Sequence, residues 1–329
     1  MLAGLRHFRR IITVARILAR HDALFPLERA GLPRVFTGLL RIVLLAPRKS
    51  GVRQIRPGER LTLAMTALGP AFVKLGQALS VRPDLVGDTL ADDLRSLQDN
   101  LPAFSGAQAR TIVETELNGT IEDLFGSFDD TAIAAASIAQ VHKATTPDGD
   151  AIAVKLLRPG IEAAFARDLD LALWAAQRVQ NLRPELNRLR PVEAVQTIIR
   201  SVEMEMDLRF EAAAADELRQ NFEDDPTFSV PAVDWLRTGR RVMTTAWIDA
   251  TPMNEIDPDT EKLDREAIVA NFARAFFLQV FRDGFSMPTF IRATFLSMTK
   301  AWSMPWISAS WDGWTGRPGS ISPRCCTDS

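Results

Sequence analysis

An α+β fold is predicted for this 329-residue chain by three features. Short β-type runs are confined to about residues 127–157 and 230–248. Helical periodicity fills the stretches on either side. One clear hairpin signal, Pro147-Asp-Gly149, joins two of the runs directly. With 47% hydrophobic and 24% charged residues and 19 prolines, the chain has ordinary globular composition and is long enough for two domains or one two-lobed domain. No tandem repeat is visible.

The elements follow in order. Residues 1–60 carry 13 Lys/Arg against 3 Asp/Glu, which leaves 26 against 38 in the remainder. Leu5, Phe8, Ile12, Ala15 and Ile17 alternate at helical spacing with Arg9, Arg10, Arg16 and Arg20. This predicts a basic amphipathic helix suited to an anionic membrane surface. An arm packed on its own domain or on a partner, with the arginines as a solvated face, fits the same pattern. Nucleic acid is disfavoured, because no aromatic interleaving accompanies the arginines. Pro47 to Pro57, with Gly51 and Gly58, reads as a linker after two short helices. Leu61–Leu101 is helical with interruptions at Gly69-Pro70 and Arg82-Pro83, and Ala107–Leu117 is a helix closed by Asn118-Gly119. Strands are expected at Ala132–Ala136, Ile138–Thr145 and Ala151–Leu157. Helices Ile161–Leu182 and Val192–Phe222 follow, then strands Val230–Trp235 and Arg241–Ile248, then a helix over Leu263–Arg282 with Ile268, Phe272, Ala275, Phe276 and Leu278 on its apolar side.

Several charged residues sit where burial is expected. Lys155 lies in a strand with Ile152, Val154 and Leu156 alternating around it. An ammonium on a half-buried strand is expensive unless paired, although an edge-strand lysine turned to water would show the same pattern. Glu205, Asp207 and Glu211 lie in one expected helix. At about 100° per residue Asp207 and Glu211 share a face and Glu205 lies about 120° from Glu211, so one acid can meet Lys155 while another reaches a different neighbour. Lys74 and Gln77, three apart, project from one helix face, and Gly76 between them permits close backbone approach.

Four motifs in this order resemble the UbiB family, atypical protein-kinase-like proteins that support ubiquinone biosynthesis. They are Leu68-Gly-Pro-Ala-Phe-Val-Lys-Leu-Gly-Gln77, Ala134-Ala-Ala-Ser-Ile-Ala-Gln-Val-His142, Ala151-Ile-Ala-Val-Lys-Leu-Leu-Arg-Pro159 and Glu205-Met-Asp-Leu-Arg-Phe-Glu211. The resemblance runs from about Leu61 to Phe285. It implies a protein-kinase-like N-lobe (127–249) behind a helical extension (61–126) and a basic N-terminal segment (1–60), with the start of a helical C-lobe at 250–285. It implies that Lys155 holds nucleotide phosphates and pairs with Glu211. Ala134, Ala135, Ala136 and Ser137 stand where ordinary kinases have a glycine-rich loop, and alanine narrows the backbone's freedom to approach phosphate. Lys74, Gln77, Glu205 and Asp207 would form a regulatory set that lays a covering helix over the site. The implied cofactors are ATP or ADP with Mg²⁺; the implied partners are a membrane surface and ubiquinone-biosynthesis proteins, at the cytoplasmic side of an inner membrane.

The pattern breaks after Asp283-Gly-Phe285. The family requires a catalytic loop H-x-D-x-H-P-G-N there and, about twenty residues on, a D-F-G whose carboxylate holds the metal. Neither is present. Residues 286–329 carry four of the seven tryptophans, both cysteines, eight serines and only two acids. Loss of one base near Phe285 accounts for this. Read one base out of register, the codons permit F-H-A-D-I-H-P-G-N-L-F-V-D-D-K-G, and Trp306-Ile307 dictates an aspartate that can open a D-F-G. The expectation is an out-of-frame tail at 286–329, no catalytic residue in this chain, and weak or no ATP turnover. A divergent native tail is the alternative, and a non-catalytic nucleotide- or lipid-binding scaffold is the alternative function.

Other chemistry lacks support. GxxxxGK[ST], GxGxxG and HExxH are absent. His7, His21 and His142 are scattered, His142 being expected as structural, and Cys325 and Cys326 have no partners at zinc spacing. Two adjacent cysteines give no disulfide framework and suit a reducing compartment. No apolar run reaches the roughly 18–20 residues of a membrane span, and the N-terminus lacks a secretory pattern.

Overall fold

Proline and glycine divide the helical N-terminal part. In the computed structural model, which describes residues 2–25, 51, 54–97, 102–182, 188, 190–249 and 265–284, α1 (Leu2–Arg20) is followed by α2 (Pro57–Leu68), α3 (Pro70–Ser80), α4 (Pro83–Val86) and α5 (Asp88–Arg95). Pro57, Pro70 and Pro83 each open a helix, where a missing N–H costs nothing. Gly69 (φ 114) and Gly87 (φ 87) make the corners that an L side chain would resist. Leu61, Ala64, Met65, Val73, Leu94 and Leu97 form the core of this bundle, with Ala23 from the end of the N-terminal segment. The second N-terminal helix, most of the Pro47–Pro57 linker, residues 250–264 and everything from Phe285 on, Cys325 and Cys326 included, lie outside the described residues.

Helix α6 (Gly106–Leu117) starts at a capping box in which Ser105 and Gln108 satisfy each other's backbone, and ends at Asn118 in the left-handed region. After α7 (Ile121–Leu124), four strands form an antiparallel sheet in the order β1 (Ser127–Ala135), β2 (Ala139–Thr145), β3 (Ala151–Leu157), β4 (Val242–Ala246). The β2–β3 connection is the Pro147-Asp-Gly149 turn, closed by Thr146 N–H to Asp150 O at 2.8 Å and Gly149 N–H to Thr146 O at 3.0 Å. Alternation splits the sheet into two faces. Ala144, Ile152, Val154, Leu156 and Val242 pack on α6 and α7 with Ile112, Val113, Ile121, Phe125 and Phe128. Ala139, Leu157 and Met243 face the opposite way, into a larger core with Phe165, Leu208, Ala212, Ala215, Leu218 and Phe228.

Helix α8 (Ile161–Leu182) has the expected bounds, but the long helix expected over Val192–Phe222 is two: α9 (Pro191–Glu205) and α10 (Leu208–Asn221). Met206 and Leu208 are both buried, and the Leu208 N–H leaves the helical ladder to bond Arg240 O at 2.8 Å. Asp207 then caps α10 by accepting from the Arg209 N–H. The expected strand Val230–Trp235 shrinks to one bridge, Val233 to Thr245. Pro231 offers no N–H, and Asp234 turns the chain into a 3-10 turn, Trp235–Arg237, by accepting from Leu236 and Arg237 N–H. The last element, α11 (Arg265–Phe277), runs into a π-helical turn, Leu278–Arg282.

Candidate functional site

Strand β3 is an inner strand, with Lys155 opposite Val141 on one side and Met243 on the other. The edge-strand reading of Lys155 therefore does not hold. Its side chain is on the face turned to α10, opposite Ile152, Val154 and Leu156. On α10 the buried stripe is Leu208, Ala212, Ala215 and Leu218, and Glu211 interrupts it at the position above Ala215. Lys155 Nζ donates to Glu211 Oε1 at 2.5 Å, with the two side chains 15% and 8% exposed. Two opposite charges on facing apolar surfaces thus neutralise each other. An ammonium carries three donors and this contact uses one, so Lys155 is chemically equipped to hold anionic oxygens while it stays paired.

The alanine segment is a tight turn beside this pair. Ala134 and Ala135 finish β1 opposite Val141 and Gln140, and the Ala136 N–H closes the turn on Ala139 O at 2.8 Å. Ser137 is buried in it. Arg158, at the end of β3, braces the turn: its backbone N–H donates to Ile138 O at 2.9 Å, its Nε to Ala136 O at 3.0 Å and its Nη1 to Pro102 O at 2.9 Å. Burial pushes the Arg158 guanidinium below its ordinary value. Sequence pattern alone assigns Arg158 no role; an arginine that closes a strand at the foot of a turn is the available signal.

Below the turn, the Gln140 amide donates to His142 Nε2 at 2.7 Å and accepts the Phe104 N–H at 3.0 Å, while His142 Nδ1 donates to Asp129 O at 2.7 Å. His142 is a neutral, structural side chain: burial lowers its pKa, outweighing the Asp129 carbonyl, which raises it.

The expected regulatory set divides. Lys74 on α3 is ion-paired with Glu205 at the end of α9. Gln77 turns elsewhere and donates to Leu97 O at 3.1 Å. Gly76 lies against Leu97 and Met65, where a Cβ would collide, so its close approach is to the bundle and not to the Lys155 pair. Asp207 touches neither Lys74 nor Lys155. It caps α10 and pairs with Arg209, Nη2 to Oδ2 at 2.7 Å, and that side-chain hydrogen bond holds its carboxyl below the usual range. The shared face expected for Asp207 and Glu211 fails because the helix breaks at Met206–Asp207. Lys74–Glu205 and Lys155–Glu211 nevertheless stand on either side of that break, so the α9–α10 corner links the two pairs.

Helix α1 packs on its own chain, as the second arrangement its pattern allowed has it. His7 and Arg10 turn inward onto Asp170 and Asp168 of α8, and the exposed Arg6 also pairs with Asp170, whereas Leu5 and Phe8, each 59% exposed, and Arg9, Arg16 and Arg20 face out. Among the described residues no helix is long and apolar enough to cross a membrane, and no three His, Cys, Asp or Glu side chains gather as a metal site.

Known proteins resemble this chain in sequence. Residues 96–289 match the family model of the ABC1 atypical kinase-like domain. The "Probable protein kinase UbiB" of Marinobacter nauticus is 38% identical over 280 residues, 84% of this chain and 50% of that one. Its namesake from Xylella fastidiosa strain M23 is 42% identical over 229 residues, 69% and 42% of the two chains. The chain spans about half the length of the curated relatives it matches. The solved complex of Rv3197 with erythromycin from Mycobacterium tuberculosis aligns at a TM-score of 0.41 and 34% identity, over 57% of this chain and 46% of that one.

Proposed function

The chain belongs to the UbiB family of ABC1 atypical kinase-like proteins, and from that premise we propose that it binds ATP or ADP at Lys155, in support of ubiquinone biosynthesis. The observation that carries the proposal is the Lys155–Glu211 pair at 2.5 Å on an inner strand. Lys155 supplies donors to the phosphate oxygens, Glu211 orients it, and the Ala134–Ser137 turn, braced by Arg158, lines the phosphate side. Alanine in place of glycine narrows the backbone's reach and so alters the grip on the nucleotide. The Lys74–Glu205 pair holds α3 as a cover that restricts access for protein substrates.

Among the described residues no three ligating side chains gather, and Glu211 pairs with Lys155. Beyond Gly284 the sequence carries neither the catalytic-loop motif nor a D-F-G, and the family match ends at residue 289. These two facts support a chain that is catalytically incomplete, with 286–329 read out of frame. They also favour a second reading, a non-catalytic nucleotide- or lipid-binding scaffold. The exposed Leu5 and Phe8 beside Arg9, Arg16 and Arg20 support peripheral contact with an anionic membrane at the cytoplasmic side.

Titration calorimetry with ATP and ADP, with and without Mg²⁺, tests the proposal. Wild type binds, Lys155→Met loses at least about tenfold in affinity, as loss of one charged hydrogen bond predicts, and ATP turnover stays at background. Equal affinity in the two proteins would overturn it. Codons around Phe285 that are incompatible with the shifted reading would end the frameshift account.

A further inference from the structure

The cover helix α3 hangs from a corner whose fixing residue lies far away in sequence. Leu68 ends α2, and its carbonyl points past the corner made by Gly69 and Pro70, where a helix leaves its last acceptors without partners. Arg10 of α1 fills that vacancy: its Nη2 donates to Leu68 O at 2.9 Å. The same guanidinium grips Asp168 of α8, Nε to Oδ1 at 2.7 Å and Nη2 to Oδ2 at 3.0 Å, and lies 5.8 Å from the ring centroid of Phe72, two residues before Lys74. Arg10 is 12% and Asp168 4% exposed. Arg167 also reaches Asp168, at 3.3 Å, but from an exposed side chain on the same helix, so it joins no second element.

From this geometry we infer that Arg10 is a positioning residue that braces α3: it fixes the first turn of the cover helix to α8 and so sets the reach of Lys74 to Glu205. A guanidinium is suited to this because its rigid fork serves a carboxylate and a carbonyl at once, whereas an ammonium concentrates its charge at one point. The N-terminal helix is then part of the device that controls access to Lys155. Its other ion pairs, Arg6 and His7 on Asp170, hold α1 to α8, and Ile17 and Leu18 at its far end pack on the core of α2, α3 and α5, away from the Gly69–Pro70 corner.

The significance of the brace rests on the proposed reading of α3 as a cover over a nucleotide site, and the experiment separates the two. Amide hydrogen exchange is measured on the full chain for wild type, Arg10→Ala, Arg10→Lys and Glu205→Gln, the last setting the scale of a released Lys74. Arg10→Ala speeds exchange over residues 70–80 by about tenfold or more, the loss expected for a charged hydrogen bond, and leaves residues 139–157 unchanged. Arg10→Lys keeps the charge opposite Asp168 but cannot span both acceptors, and gives an intermediate rate. If Arg10→Ala does not fold, Arg10→Lys decides. Exchange over 70–80 within twofold of wild type in the folded variants overturns the brace. Nucleotide affinity in the same samples addresses the cover: faster exchange with unchanged affinity supports the brace and counts against the cover.

Discussion

Removing one member of the Lys155–Glu211 pair should cost more than removing both. The two side chains are 15% and 8% exposed, and the surfaces around them belong to the main core, with Leu157, Met243, Leu208, Ala212 and Ala215 all buried. Lys155→Met leaves the Glu211 carboxylate buried without its ammonium, a loss of about 3–5 kcal/mol for a buried pair. Glu211→Leu leaves the ammonium in the same position, at a similar cost. The double variant removes both charges and adds apolar surface to a core face; pairs replaced in this way are close to neutral or gain stability. Urea unfolding followed by far-ultraviolet circular dichroism on all four proteins completes the cycle. The expected coupling is at least about 2 kcal/mol, with the double variant more stable than either single one. Single-variant losses that simply add would mean that the two charges are separately solvated and do not form a coupled buried pair.

Three further outcomes follow. His142 is neutral when folded, with its pKa pushed down by burial from 6.5. The unfolded chain therefore takes up a proton first, and stability falls as pH drops below about 6.5 until the folded group protonates as well. His142→Gln should flatten that part of a stability profile between about pH 7 and pH 5, whatever it costs at neutral pH. Asp207→Ala removes the cap of α10 and the Arg209 pair and should cost about 1–2 kcal/mol in urea unfolding, with nucleotide affinity unchanged if its role is only structural; Asp207→Asn, which can still cap, should recover part of the loss. Arg158→Ala frees the Ala136 and Pro102 carbonyls. Exchange at residues 136–139 should rise about tenfold while the β2–β3 ladder keeps its protection, and nucleotide affinity should fall.

Local signals made much of this legible. Pro147-Asp-Gly149 fixed the hairpin that carries Lys155, because few dipeptides other than Asp-Gly supply the positive φ seen at Gly149. Prolines 57, 70 and 83 marked three helix starts. The core stripe of α8 was legible as apolar periodicity, but the stripe Ile161, Phe165, Asp168, Ala176 contains an acid, and that acid was the overlooked sign that a distant cation must dock there. Arg10 is that cation, 158 residues away, and no local pattern pairs them. The break at Met206–Asp207 was hidden for a similar reason. Neither residue is a helix breaker, and the interruption comes from burial of Met206 and Leu208 and from the Arg240 carbonyl, which are tertiary effects. Gln77 stands beside Lys74 both in the family motif and at a helical spacing of three, and neither signal distinguishes a carboxylate partner from the carbonyl of Leu97.

Nucleotide binding at Lys155 is measured most directly by acylation of that lysine with a nucleotide-directed acyl phosphate, read by peptide mass spectrometry in the full chain with and without excess ADP. Lys155 is expected to be labelled, with ADP suppressing that labelling by at least about tenfold, while surface lysines such as Lys143 are labelled equally in both samples. Labelling of Lys155 that is the same with and without ADP would contradict nucleotide binding there.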